Sequence, residues 1–437
     1  MVFYFNPRSI LCESQVAILA TCYLTQMKKS FFITVSVVFI WSCGSPEVDR
    51  QWLSVERDLQ KRLITAGDSA VIEIPEGHFM FTKSLSIDGK SNITLKGQGI
   101  GKTVLSFAQQ EEGAEGLKIS NCKQVLIKDL TIEDAKGDNI KATDTEGITF
   151  DGVKSHWTGE PKEENGAYAF YPVLCKNVLI QSCIAAGASD AGIYVGQSDS
   201  VIIRSNKVYH NVAGIESENS KWVEIYGNEA FNNTGGILVF DLPGLTQTGH
   251  TTRVFNNLLE KNNFKNFAPE GNIVATVPPG TGMMLLATRQ VEIFDNRFLD
   301  NRTAGLAIAS YDLVAALGGE GDTQLDQNID LAGQDKLYDP YPSDIYVHHN
   351  KFDNGYWFPT LKNDFGLLFL MKFPFSTPDI VWDGISPDRE NFRLCLIENG
   401  EINFGDLDAA NDFEKLTSDW SAFSCEGENV APMFVGI

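Results

Sequence analysis

Between residues 71 and 352 the apolar positions come in short alternating runs, separated by Gly, Asn, Asp or Ser, with no long amphipathic stretch between them. The octets VLIKDLTI (125–132), ITFDGVKS (148–155), VLIQSCIA (178–185), VEIFDNRF (291–298) and IYVHHNKF (345–352) each carry this pattern. A period of two bounded by turn residues predicts brief β-strands. The runs also repeat. Residues 191–212 (AGIYVGQSDSVIIRSNKVYHNV) are followed by 213–234 (AGIESENSKWVEIYGNEAFNNT), with Gly192/Gly214, Ile193/Ile215, Val201/Val223, Asn206/Asn228 and Asn211/Asn233 in register. Gly236-Ile237 opens the next copy on the same 22-residue step.

One such unit cannot bury its apolar face alone, so only a stack is stable. The repeat predicts an all-β fold: a single-stranded right-handed parallel β-helix, with three parallel sheets and about 22 residues per coil, over residues 67–355. Asn206, Asn228, Asn296 and Asn350 share one turn position, where stacked amides bond from coil to coil and the left-handed backbone is tolerated. They read as scaffold. The open first coil needs a cover. Residues 44–66 supply a linker and an amphipathic helix, with Trp52, Val55, Leu59, Leu63 and Ile64 at helical spacing. Residues 356–437 read as C-terminal coils and cap, and contain Cys395 and Cys425 as a candidate disulfide. Cys122, Cys175 and Cys183 read as small buried residues. The period is interrupted at 156–165, 241–252, 264–281 and 312–343.

Composition narrows the function. At 437 residues the length alone suggests two or three domains; the repeat replaces these with one stack. A net charge of −22 excludes non-specific nucleic-acid binding, which needs Lys and Arg against phosphate. Phosphate loop, nucleophile elbow, dinucleotide fingerprint and CxxCH haem attachment are all missing. No cofactor and no metal centre are expected. His348 and His349 should alternate across a strand without a further ligand at metal spacing, and His210 sits at a coil turn as a structural residue. The acidic loop holding Asp322, Asp326, Asp330, Asp335 and Asp339 is a solvated loop in one reading and a calcium site in the other.

Residues 1–43 read as an upstream extension and an export signal. Met27-Lys28-Lys29 precedes the apolar run from Phe31 to Trp41, which Ser42-Cys43-Gly44 closes. The close resembles a bacterial lipobox, so Cys43 is the expected lipidation site, with plain secretion and a retained anchor as alternatives. The protein is then expected in a bacterial cell envelope, in the periplasm or at the outer membrane, touching membrane only through the lipid.

Side chains alternate along a strand, so the repeat alignment yields an outward column: Lys118, Lys141, Tyr171, Tyr194, Glu216, Leu238, Met284 and Ala307. Its first five members are expected to form an exposed stripe, flanked by Asp190 and Asp241. One reading is a glycan groove. Rings stack on sugar faces, Lys118 and Lys141 pair with uronate carboxylates, and Tyr194, Glu216 and Asp190 are candidates for proton transfer. The other is an ordinary exposed β-face of residues that suit the pleat.

Two resemblances follow from the quoted residues. VIEIPEGHFMF (71–81) followed by NITLKGQGIGKTVL (92–105) resembles the opening of the pectate-lyase-like superfamily, which implies lyases, mannuronan epimerases or polysaccharide-binding proteins. The epimerases use an Asp–His motif on a strand; ASDAGIYVG (188–196) has Asp190 and no histidine. The segments GAYAFYPV (166–173), GASDAGIYVGQS (187–198), NTGGILVFDLPG (233–244), NFAPEGNIVATVPPGTG (266–282) and DIVWDGI (379–385) resemble a family of uncharacterised bacterial parallel β-helix repeat proteins. That resemblance covers roughly residues 66–430. Its members are encoded beside c-type cytochrome proteins, which implies an envelope protein, such as a cytochrome, as a possible partner. It supplies no catalytic residue.

Overall fold

The computed structural model describes residues 50–317, 338–356, 358–372, 376–387 and 392–433. The extension 1–43 with Cys43, and Asp322, Asp326, Asp330 and Asp335 of the acidic loop, lie outside the described residues. Among the described residues the strands pair in parallel from coil to coil, and the chain is a right-handed parallel β-helix. An 11-stranded front sheet runs from Lys83–Asp88 to Phe404–Asp406. The other two faces are a back sheet of mostly six-residue strands and a face of three-residue strands. Both belong to one 19-stranded sheet, because Lys123–Glu133 and Glu146–His156 run unbroken from one face into the other.

Register carries the repeat into space. Ile193 lies beside Ile215 and Ile215 beside Ile237, all three fully buried inside the stack. The turn asparagines form the expected ladder, and it is longer than the four residues named above. Asn206, Asn228, Asn257, Asn296 and Asn350 each donate Nδ2 to the next Oδ1 at 3.0 Å, and Asn399 accepts the last of these bonds. A second ladder joins Asn211, Asn233, Asn262 and Asn301 at 3.0–3.2 Å. Satisfying buried amides at every step removes a desolvation cost that an unpaired amide would carry.

The helix Arg50–Thr65 (α1) covers the first coil. Leu59 and Leu63 enter the core, whereas Ile64 is exposed. The Gln60 side-chain amide donates to Ser86 O and accepts from Ser86 N, at 3.1 and 2.9 Å. It therefore stands in for the missing neighbour of the edge strand, whose free backbone groups would otherwise invite pairing. At the other end stacking continues past residue 355, through Ile380–Trp382, Leu394–Ile397 and Phe404–Asp406. Cys395 and Cys425 form a disulfide there, and Trp382, Phe392 and Phe423 fill the last coil.

The insertions converge. Inserted segments leave the front sheet after Phe240 and after Ala309, and the chain returns to it at Thr281 and at Ile380. Phe267, Val274, Val277, Tyr311 and Tyr338 from these segments pack on Leu238, Phe240 and Met284 of the front sheet's outer face. The second half of that face is thus an interior.

Candidate functional site

The outward column exists as expected. Lys118 pairs with Lys141, Lys141 with Tyr171, Tyr194 with Glu216, and Glu216 with Leu238. Its exposure differs from the expectation. Lys118 is exposed and Lys141 and Tyr171 are half-buried, but Tyr194 and Glu216 are only 4% and 2% exposed. The inserted segments cover that end of the face. Asp190, expected beside an open stripe, is 7% exposed.

Two expected sugar contacts are held by the protein itself. Asp241 is fully buried; its Oδ1 accepts from Gly249 N at 2.7 Å, and Arg289 reaches Oδ2 at 3.5 Å. It fastens the 241–249 loop and is not placed to meet a substrate. Lys141 lies 3.8 Å from Asp138, 4.0 Å from Glu115 and 4.6 Å from the Tyr171 ring centre. Its charge is already compensated, so Lys118 is the lysine of this column left to face a ligand.

What the covered end assembles is a carboxyl cluster. Asp190 and Glu216 stand close enough for each carboxyl to shift the other. No donor from another side chain or from the backbone reaches Asp190 Oδ1 or Glu216 Oε2, both buried. Burial first, and then the neighbouring negative charge, push both acids well above their ordinary range. Glu218, two residues on and half-buried, is pushed up to about 7 by burial, although it accepts the Tyr194 hydroxyl at 2.7 Å. Tyr168 donates to Asp190 Oδ2 at 3.1 Å. The Tyr168, Tyr171 and Tyr194 rings contact one another with centres 4.4–5.0 Å apart. Asp138, beside Lys141, is pushed up to about 6, mainly by burial.

Glu218 and Tyr168 were missed because one outward position was read per strand. A six-residue strand offers more, and Glu216 and Glu218 share a face by simple alternation. The histidines differ too. His349 has φ 54° just past its strand, so its Nδ1 meets that of His348 at 2.8 Å rather than facing away. Glu292 lies 3.2 Å from His348 and Glu398 lies 2.8 Å from His349. His210 packs on Tyr209 and Phe264. Among the described residues no group of three His, Cys, Asp or Glu is disposed to hold a metal ion. No helix among them is long and apolar enough to cross a membrane.

Residues 83–248 match the family described as "Right handed beta helix region". No curated protein matches the chain. Among solved structures it is similar to the A-module of a mannuronan C-5 epimerase from Azotobacter vinelandii. Identity is 14%, covering 77% of this chain and 88% of that one, with a TM-score of 0.45. A periplasmic alginate epimerase is 16% identical over 67% and 73% of the two chains, TM-score 0.41. An exopolygalacturonase from Thermotoga maritima is 11% identical over 70% and 83%, TM-score 0.44. At these identities no residue role carries over.

Proposed function

We propose that this β-helix is an exported protein that binds a glycan along the front sheet and exchanges protons with it at Glu218, the half-buried member of the carboxyl cluster. One observation carries the reading: three carboxyls whose hold on a proton is strengthened by burial lie against a tyrosine cluster, at the point where the exposed half of the sheet meets its covered half. Cleavage beside a sugar ring needs a proton donor and an acceptor, and acids of raised pKa serve as donors. Tyr171 offers a ring for stacking. Lys118 can pair with one uronate carboxylate.

The test incubates the protein with alginate, pectate and neutral glucans, following new reducing ends and the absorbance of unsaturated products. Turnover by the wild type, lost in Glu218→Gln with binding retained, supports the reading. Absence of binding to every glycan overturns it.

A second reading, an interaction scaffold for an envelope protein such as a c-type cytochrome, draws on Leu361, Leu367 and Met371, which are 60%, 44% and 72% exposed. Co-purification from the native envelope tests it.

A further inference from the structure

A cleft of about 490 Å³ lies on the outer surface of the back sheet, beneath residues 427–431. Its floor includes one column, in which register sets Trp222, Thr251, Gln290 and Asp344 side by side on successive coils. All four have left-handed backbone, with φ 53°, 61°, 54° and 56°. Earlier coils place Asn92, Gln124, Gly147, Asn177 and Ser200 at this position, also with positive φ. Asparagine and glycine accept that conformation readily, whereas a bulky or β-branched residue is an outlier. Such outliers persist where something else requires the residue.

Packing does not supply the requirement at Trp222. The residue is 40% exposed, and its ring meets His250 only edge-on, at 6.5 Å between centres. The remaining lining mixes apolar and polar side chains, and Glu426 and Glu428 leave it net acidic. Thr251 Oγ1 donates to Gln290 Oε1 at 3.1 Å, and Asp344 is ion-paired with Arg393. The roof is built in as well. The Cys395–Cys425 disulfide anchors it, and Met433 N donates to Glu224 Oε1 at 3.0 Å. A Cβ on Gly427 would stand 2.4 Å from the Tyr346 ring, so the segment presses directly on the sheet.

We propose that this cleft is a glycan site separate from the front sheet, taking a neutral hexose ring stacked on Trp222 and hydrogen-bonded near Gln290. An exposed indole face with an amide and a hydroxyl beside it suits a ring that has one apolar face and a rim of hydroxyls. With Asp344 paired to Arg393 and Glu426 and Glu428 beside them, the cleft disfavours an anionic sugar. The proposal does not depend on the chemistry assigned to Glu218.

Calorimetry with cellohexaose, laminarihexaose and mannohexaose tests it on the wild type, Trp222→Asn and Tyr171→Ala. At least one sugar should bind the wild type saturably. Affinity should fall tenfold or more in Trp222→Asn and persist in Tyr171→Ala. The melting temperature of Trp222→Asn should equal or exceed that of the wild type, since asparagine fits the backbone. A lowered melting temperature would show that the indole serves packing, and would overturn the proposal. So would equal affinity in Trp222→Asn, or no binding of any of the three sugars. Loss in Tyr171→Ala alone refutes this site while leaving the front-sheet reading intact.

Discussion

Tyr194 reaches Glu218 by passing over a glycine. Gly196 is the register partner of Glu218, and a Cβ there would stand 2.2 Å from the Tyr194 hydroxyl. The bare backbone at 196 is what lets the phenol cross one coil and donate to Glu218 Oε1. Gly196→Ala should therefore break that hydrogen bond and lower stability by about 1–3 kcal/mol, the usual cost of forcing atoms into a packed site. Denaturant melts measure the loss. Tyr194→Phe, which keeps the ring and removes only the donor, should cost less.

Stability should fall as the pH rises. Burial raises the Asp190 and Glu216 carboxyls above their ordinary values of 3.8 and 4.5. The folded chain then holds protons that the unfolded chain releases. The stability they contribute is complete below the unfolded values and is lost as the pH climbs through the folded ones. The melting temperature should be higher at pH 5 than at pH 8, and Glu216→Gln, which cannot ionise, should shrink that difference. An unchanged difference would remove the buried pair from the account.

The asparagine ladder sets a stability prediction away from the site. Asn228→Ala strands Asn206 N, removes one of the two acceptors of Asn206 Nδ2 and leaves the Ile203 carbonyl without its side-chain donor. Each buried unsatisfied group costs about 1–3 kcal/mol, so the loss should be on the order of 3 kcal/mol or more in urea unfolding. Asn92→Ala, at an exposed position, should cost less.

Glycan affinity should separate ring from charge. Tyr171→Ala should weaken binding about fivefold at any ionic strength, because an aromatic contact contributes on the order of 1 kcal/mol. Lys118→Ala should matter at low salt and fade at higher salt, as exposed charge pairs are screened within about 10 Å at 0.1 M. Isothermal titration at two salt concentrations distinguishes them.

Acylation at Cys43 is open to labelling. A palmitate analogue should mark the wild type and leave Cys43→Ala blank; label on both or on neither would remove the lipid anchor.

The coil was legible because each turn of the stack must present the same inward residues, so Ile193, Ile215 and Ile237 announce themselves at a fixed step. The order of the outward column followed from alternation alone. Its accessibility did not, because Tyr194 and Glu216 are buried by chain arriving from segments that hold Leu242, Phe267, Val277 and Tyr311, which the local pattern around them does not encode. The pairing of Asp190 with Glu216 depends on how far two side chains reach across neighbouring coils, a distance that period-two reasoning does not supply. Trp222 escaped notice for another reason. Its residue type suits a strand, and only its φ of 53° sets it apart.

Along one asparagine ladder successive rungs are separated by 22, 29, 39 and 54 residues, and the amide contact stays at 3.0 Å throughout. Coil pitch is thus indifferent to how much chain is spent between rungs. A segment exchanged at 241–249 or 261–280 alters what covers the carboxyl cluster without asking the ladder to adjust. In this molecule recognition can diverge at the pace of its loops, while the spine that carries them stays as it is.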